Sequence, residues 1–334
     1  LALQHSGLHR RIALSVLVLV GSGQRQLVGG FMLVTALLSM WMSNTATAMI
    51  VMPIGLSVIQ ACYDPREAEG AGGQAAGGFA AAIVLGIAYA ASIGGMGTPI
   101  GTPPNLIMSG YLREHYGMDV SMLEWMRVAI PVLLLLLPAT WAWLCFVSFR
   151  LSGSAASSTS RDVLRARLAE LGPVTPAERR VGAIFALVAV CWVLRPQIVA
   201  WTGLKGLDDA VIALTGALLL FLVPSGRQRH ERLLDWHTAQ HLPWDILLLF
   251  GGGLSLAAAI SASGADAPLT AMLSGFGTVP VVVIILLLAV LVVFSGELTS
   301  NTAAATALMP VLGALCAARG LDVLPVFMVA TLAG

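Results

Sequence analysis

Six stretches of 20 or more residues carry no charged side chain, and this pattern limits the folds open to the chain. They are Gln26–Tyr63, Gly70–Leu112, Val128–Phe149, Ile246–Ala265, Ala267–Gly296 and Leu298–Ala318. A helix needs about 20 apolar residues to cross a bilayer, and it satisfies its own backbone hydrogen bonds there. Only 10% of the 334 residues are charged, against roughly 25% in soluble domains. The sequence therefore predicts an all-α polytopic membrane protein embedded in the lipid bilayer.

The distribution of arginine predicts which connections face the cytoplasm. Positive residues crowd two connections: Arg150, Arg161, Arg165, Arg167, Arg179 and Arg180 in one, and Arg227, Arg229 and Arg232 in the other. The positive-inside rule places both connections in the cytoplasm. Counting helices back from them puts residues 61–78 on the cytoplasmic side, and Arg10, Arg11 and Arg25 indicate that residues 1–25 face the cytoplasm as well. Residues 27–60 must then enter and leave the membrane on one side, which predicts a re-entrant hairpin.

A polar tripeptide occurs twice inside apolar sequence. Ser43-Asn44-Thr45 is followed by Met52-Pro53, and Ser300-Asn301-Thr302 is followed by Met309-Pro310. The copies are 257 residues apart, and seven of their eleven aligned positions match. Related halves of this kind are typical of transporters with inverted-topology repeats. The second copy therefore predicts a matching hairpin over 280–318 that enters from the opposite face, with both polar tips near the bilayer midplane.

A third unusual segment lies between the two tripeptides, where Gly94–Asn105 has the sequence GGMGTPIGTPPN. Prolines remove backbone donors and glycines permit unusual dihedral angles, so we expect the helix over 79–111 to be broken here. Such a break frees carbonyl groups for a cation. The half-helix after it presents amide groups and a positive dipole end to an anion. The segment therefore predicts part of a binding site inside the membrane.

These elements divide the chain into two repeats. The first repeat covers 1–150, with the hairpin 27–60, the broken helix 79–111 and a helix at 128–149. A cytoplasmic linker rich in Ser, Ala and Arg follows at 151–179. The second repeat covers 180–334, with helices at 181–201, 207–223 and 244–263 and the hairpin 280–318. We expect a fragment, because the first residue is Leu rather than Met and the second broken helix would lie beyond Gly334.

The segments SNTATAMIVMPI and SNTAAATALMPVL, with GGMGTPIGTPPNLIM between them, give the chain a family resemblance. They resemble the divalent anion:sodium symporter family of dicarboxylate, tricarboxylate and sulfate carriers. The resemblance covers nearly the whole chain, including the opening stretch Ser6–Arg11. It implies sodium as the co-transported ion, a small anionic substrate, a homodimer, and a place in the inner (cytoplasmic) membrane.

Carried over residue by residue, the resemblance also implies the binding residues. The first sodium site is at Ser39, Ser43, Asn44 and Gly101. The substrate carboxylates are bound near Asn44, Thr45, Thr102, Ser300, Asn301 and Thr302. The second sodium site includes Thr299 and Asn301, and it is incomplete because Gly296 stands where the family often has Thr. Glu297, a carboxylate in an apolar run, either supports the hairpin or helps to coordinate a cation.

The predicted function is sodium-coupled transport of a small dicarboxylate such as succinate, malate or fumarate. No Arg lies in the predicted site, so neutral donors and sodium must hold the dianion. Alternatives within transport are a sodium-independent exchanger, which Gly296 favours, a sulfate or tricarboxylate carrier, and an arsenite-type efflux pump of the wider superfamily. An intramembrane enzyme is disfavoured because no His lies in the predicted membrane core. A structural protein would not need duplicated tripeptides, and no basic tract indicates nucleic-acid binding.

Overall fold

A computed structural model describes residues 1–21, 23–62, 71–151, 158–204, 206–226, 231–242, 244–264, 280–298 and 301–333. Regular structure in these residues is helical, apart from isolated bridge residues, which include the antiparallel pair Pro224 and Arg232. Five helices in the described part are long and apolar enough to cross a membrane: Asn44–Cys62, Gly77–Gly95, Met122–Ser148, Pro176–Thr202 and Asn301–Arg319. The predicted all-α polytopic class is confirmed.

The described part of the chain forms fifteen α-helices. In chain order the helices are α1 (Ala2–Ser6), α2 (Leu8–Val20), α3 (Gln24–Ser39), α4 (Asn44–Cys62), α5 (Ala71–Gly95), α6 (Pro103–Tyr116), α7 (Met122–Ala142), α8 (Ser158–Glu170), α9 (Pro176–Thr202), α10 (Asp209–Leu222), α11 (Trp236–Ala239), α12 (Trp244–Ser263), α13 (Val281–Leu298), α14 (Asn301–Arg319) and α15 (Val323–Ala333). A π-helical turn, Trp143–Ser148, extends α7.

The helix bounds repeat with the spacing of the tripeptides. α4 runs from Asn44 to Cys62 and α14 from Asn301 to Arg319, so both ends are 257 residues apart. The preceding helices, α3 and α13, begin at positions 24 and 281, which are also 257 residues apart. In both copies the Asn of the tripeptide is the first residue of the second helix. The re-entrant course of these helix pairs stays a prediction.

Two compact units make up the described fold. One consists of Leu1–Gly101 and Ser121–Leu242, and the other of Thr102–Val120 and Pro243–Gly334. In the first unit α3 packs along α5, and the buried side chains between them include Phe31 and Ile83. The unit therefore holds the first helix pair on a continuous apolar core.

A short helix lies where the sequence predicts only a linker over 151–179. Helix α8 packs against α2 and α4, and its Leu164 is buried in the core of the first unit. The physical reason is the spacing of Leu164 and Leu168, which lie on one face of α8 and pack against the core together with Leu171, just after the helix end.

Polar contacts fix the helices α7, α9 and α10 of the first unit to one another. Arg195 of α9 pairs with Asp209 at the start of α10, with 3.1 Å between Nε and Oδ1. Trp192 donates its indole N–H to the Asp209 carbonyl (3.0 Å), and the Met122 N–H at the start of α7 donates to Asp209 Oδ2 (3.3 Å). Asp209 thus joins three helices at one end of the scaffold.

The second unit packs the half-helix after the break against the second helix pair. α6 packs against α14 and α15. Tyr111 of α6 stacks on Phe327 of α15, with 5.6 Å between ring centroids. Tyr116 makes an edge-on contact with the same ring at 6.2 Å. Aromatic packing therefore sets the position of α6, and with it the start of that helix.

Candidate functional site

The first polar tip is the turn between α3 and α4. Ser43 caps α4: its Oγ accepts a hydrogen bond from the Ala46 N–H (3.3 Å), and its carbonyl accepts one from the Thr47 N–H (2.9 Å). Ser43 and Thr45 are exposed, and Asn44 is half-buried. The positive end of the α4 dipole therefore lies at the tripeptide, where it favours a negative ligand.

Three oxygen atoms meet beside this tip, and only one of them carries a hydrogen. Ser39, the last residue of α3, is fully buried. Its hydroxyl oxygen lies 2.9 Å from Asn44 Oδ1 and 2.6 Å from the Ala91 carbonyl oxygen. In this orientation of the Asn44 amide, one hydroxyl hydrogen satisfies only one of the two acceptors. Such a cluster suits a hard cation, which takes oxygen ligands.

The end of α5 lies against the same oxygen atoms. α5 ends at Gly95, where an added Cβ would lie 2.5 Å from Asn44 Oδ1. An added Cβ at Gly101 would lie 2.4 Å from the Gly95 carbonyl oxygen, so backbone meets backbone there. Of the residues implied for the first sodium site, Ser39 and Asn44 are in direct contact, and Gly95 lies against both Asn44 and Gly101. Ser43 instead caps α4.

Two side chains hold the break in its non-helical course. The buried Thr98 donates its hydroxyl hydrogen to the Met40 carbonyl, which ties the break to the turn of the first helix pair. Trp125 of α7 donates its indole N–H to the Met96 carbonyl at 2.8 Å. The break is therefore held against both the turn at Met40 and helix α7.

The start of α6 differs from the expectation of free amide groups after the break. Thr102 precedes the helix in an extended conformation, with φ −141° and ψ 144°, and is half-buried. Pro103 and Pro104 take the first two helical positions and have no N–H. The N–H of Asn105 bonds to the Thr102 carbonyl at 3.2 Å. An anion at this helix end would meet the dipole and the Thr102 side chain rather than a row of amides.

The second polar tip is described from Asn301 onward. Asn301 begins α14 and is exposed, and Thr302 is half-buried. Thr299 and Ser300, for which the family resemblance implies roles in the second sodium site and the anion site, lie outside the described residues. Glu297 lies in the last turn of α13, and its side chain also lies outside the description. At this tip the structure describes Asn301 and its neighbours in α13 and α14.

Gly296 occupies the position in the second copy that Ser39 has in the first, since they stand 257 residues apart. An added Cβ at Gly296 would lie 2.8 Å from Asn301 Oδ1. Thus the Asn301 amide reaches into the space that a hydroxyl side chain takes at the first tip. A small cavity here is lined by Pro104, Gly296, Asn301, Ala304 and Thr331, among others. At this position the second tip therefore has no hydroxyl group, whereas the first tip has that of Ser39.

Comparison with known proteins identifies the family. The family model described as the sodium:sulfate symporter transmembrane region matches residues 1–334. The chain belongs to the sodium:sulfate symporter family. It is 37% identical over 322 residues to the sodium-dependent dicarboxylate transporter SdcS of Staphylococcus aureus, in strain USA300 and equally in strain NCTC 8325. The match covers 96% of this chain, which spans 62% of the length of these relatives.

The sodium:sulfate symporter family is a family of transporters, so the predicted absence of an enzyme function is confirmed. Sequence reasoning about this member missed contacts at the first tip. Thr98 is one of three polar residues in the Gly/Pro segment, with Thr102 and Asn105, so its residue type is a signal for a polar contact. Ala91 contributes only a backbone carbonyl, for which its side chain gives no signal.

Proposed function

We propose that this chain forms the ion- and anion-binding part of a sodium-coupled transporter of small dicarboxylates in the cytoplasmic membrane. The oxygen cluster of Ser39, Asn44 and Ala91 carries this proposal. It lies at the C-terminal, electronegative end of α5, whereas α4 begins beside it with an electropositive end. A place for a cation and a helix end that attracts an anion are thus neighbours, as coupled binding requires.

The proposed binding residues are those that the resemblance implies. Sodium occupies a first site at Ser39, Ser43, Asn44 and Gly101, and a second, incomplete site includes Thr299 and Asn301. The anion is held near Asn44, Thr45, Thr102, Ser300, Asn301 and Thr302. Two negative charges are costly in a medium of low dielectric constant unless they are neutralised, so sodium lowers the cost of anion binding. The relatives' name, sodium-dependent dicarboxylate transporter, supports this substrate class.

The proposal includes the topology. Residues 27–60 and 280–318 form re-entrant hairpins of opposite orientation within the repeats 1–150 and 180–334, and the protein is a homodimer. The equal 257-residue spacing of the tripeptides and of the bounds of α4 and α14 supports the repeat. The family resemblance supports the homodimer.

Radiolabelled succinate uptake tests the function. The full-length protein is reconstituted in proteoliposomes, and uptake is measured with an inward sodium gradient and with the same gradient of potassium. We expect uptake with sodium only, and we expect excess malate or fumarate to compete better than sulfate or citrate. Competition by sulfate alone would replace the dicarboxylate assignment with a sulfate carrier.

A sodium-independent exchanger is the second candidate, and Gly296 is the observation that favours it. Succinate influx that needs no sodium but needs internal dicarboxylate would establish the exchanger. The missing hydroxyl at Gly296 leaves the second tip with a weaker hold on sodium than the first. The two functions therefore differ in whether succinate uptake needs sodium, and the proteoliposome uptake assay measures that difference.

Replacing Gly296 with Ser is expected to strengthen sodium binding at the second tip. The new side chain meets only the end of the flexible Asn301 side chain, which can rotate aside. The first tip shows that a Ser and an Asn fit together at these positions, since Ser39 and Asn44 lie 2.9 Å apart. We expect the sodium concentration for half-maximal uptake to fall about tenfold, the effect of gaining one contact to a charged group.

The matched control for this substitution is Gly296→Ala, which adds the Cβ without the hydroxyl. Sodium titrations of succinate uptake in the wild type and both variants make the comparison. Equal sodium dependence in the Ser and Ala variants would show that the second tip does not bind sodium through this position.

A further inference from the structure

Thr47 carries a buried hydroxyl group that the structure leaves without a hydrogen bond. Its side chain is fully buried in α4, and among the described residues its Oγ1 has no partner. The equally buried Thr35 and the buried Thr331 both donate to the carbonyl four residues earlier, at 2.6 Å and 2.8 Å. An unsatisfied hydroxyl in a dry interior costs free energy, so an unused oxygen at this place calls for a ligand.

The register of α4 places Thr47 beside the oxygen cluster of the first tip. The buried face of α4 consists of Thr47, Val51, Gly55 and Val58. Gly55 faces Ile83 and Ile87 of α5, and Asn44 faces Gly95 farther along the same helix. Thr47 lies on α4 between Asn44 and Gly55. It is three residues from Asn44, a spacing at which two side chains on a helix are neighbours.

The second tip supports this placement independently. Ala304 stands 257 residues after Thr47, as Gly296 does after Ser39. Gly296, Asn301 and Ala304 line one small cavity. By the repeat, Ser39, Asn44 and Thr47 stand at the equivalent positions of the first tip. Two hydroxyl groups therefore border a space that carries none at the corresponding positions of the second tip.

We infer that Thr47 is a further sodium-binding residue, whose Oγ1 coordinates the ion held by Ser39 and Asn44 from the side of the helix core. This inference rests on the proposed function. Sodium is a hard cation that binds hydroxyl and carbonyl oxygens, and Oγ1 has lone pairs that no described group uses. The first tip then binds sodium more tightly than the second, because it has two hydroxyls where the second has Gly and Ala.

The test compares Thr47→Val with Thr47→Ser in the full-length protein. Val keeps the shape of Thr and removes the hydroxyl, whereas Ser keeps the hydroxyl. The control is Thr35→Val, at an equally buried Thr whose hydroxyl bonds within its own helix. Two readouts are used: the sodium dependence of succinate uptake in proteoliposomes, and the rise in Tm that sodium alone produces in detergent.

For Thr47→Val we expect the sodium concentration for half-maximal uptake to rise about tenfold, the effect of losing one contact to a charge. The sodium-induced rise in Tm should shrink accordingly, because ligand binding stabilises the folded state in proportion to its affinity. Thr47→Ser and Thr35→Val should stay within about twofold of the wild type on the same scale.

Wild-type sodium dependence in Thr47→Val would overturn the inference and show that the hydroxyl is merely tolerated. If this variant does not fold, Thr47→Ser is compared with Thr47→Ala, which differ by the oxygen; equal sodium dependence of that pair also overturns it. A wild-type protein that transports succinate and gains no Tm from sodium would instead refute the proposed sodium coupling, and the role of Thr47 with it.

Discussion

Replacing Asn44 with Ala in the full-length protein is expected to abolish sodium-dependent succinate uptake while leaving expression intact. Asn44 Oδ1 belongs to the oxygen cluster with Ser39 and Ala91, and its amide nitrogen remains available to a carboxylate. Ala supplies neither group. Each contact to a charged group is worth about 1.5–3 kcal/mol, so the loss of two predicts a decrease of about 100-fold or more. Asn301→Ala should act in the same direction through the anion.

The control for Asn44→Ala is Met49→Ala on the same helix. Met49 is an exposed residue of α4 that takes no part in the buried face, so uptake should stay near the wild-type rate. Initial rates of succinate uptake, normalised to protein in the membrane, make the measurement. Near-normal rates in both Asn44→Ala and Asn301→Ala would refute the site assignment.

Asn44→Asp separates the two roles of this side chain. The carboxylate keeps the oxygen that faces Ser39 but adds a negative charge and removes the amide nitrogen. We expect this variant to retain a sodium-induced rise in Tm and to lose succinate binding, because like charges repel in a medium of low dielectric constant. Loss of both the sodium-induced rise in Tm and succinate binding would show that the two roles of the Asn44 amide are not separable.

The sequence predicts the parts of this fold that follow from hydrophobic runs and from the repeat. The predicted helix at 244–263 and the helix α12 have the same bounds, because most of its length is the charge-free run Ile246–Ala265 and Gly264, at φ 69°, follows its last residue. The 257-residue spacing of the tripeptides likewise recurs in the ends of α4 and α14. In both cases the pattern extends over many residues, so tertiary packing does not overrule it.

Other features depend on contacts that a single sequence does not reveal. The sequence predicts a linker where helix α8 lies, because Ser, Ala and Arg dominate the segment, while burial of Leu164 against other helices stabilises the helix. The Ala91 carbonyl joins the oxygen cluster through the packing of α3 on α5, and backbone groups leave no mark in residue type. Thr47 follows the first tripeptide as one of several polar and small residues, and only its burial without a partner among the described residues distinguishes it. Residue types predict which chemical groups are present, whereas contacts decide which of those groups take part in binding.

Gly101→Val is expected to remove the dependence of succinate affinity on sodium. An added Cβ at Gly101 would lie 2.4 Å from the Gly95 carbonyl oxygen and 3.0 Å from the Gly95 Cα. These are backbone atoms at the end of α5, which cannot rotate aside as a side chain can. Gly95 in turn lies against Asn44 Oδ1, at 2.5 Å from its own added Cβ. A displaced Gly95 would therefore push on Asn44 and change the distances within the oxygen cluster.

Sodium and succinate should tighten each other's binding by the same factor in the wild type, because coupling free energy is reciprocal. In Gly101→Val that factor should fall toward one, so that succinate binds weakly at every sodium concentration. The control is Gly77→Val, since Gly77 lies on α5 with no atom within 4 Å of an added Cβ. Succinate affinity is measured across a sodium titration in all three proteins. Retained sodium coupling in Gly101→Val would place the ion away from the break, whereas a wild type without any coupling would favour the exchanger.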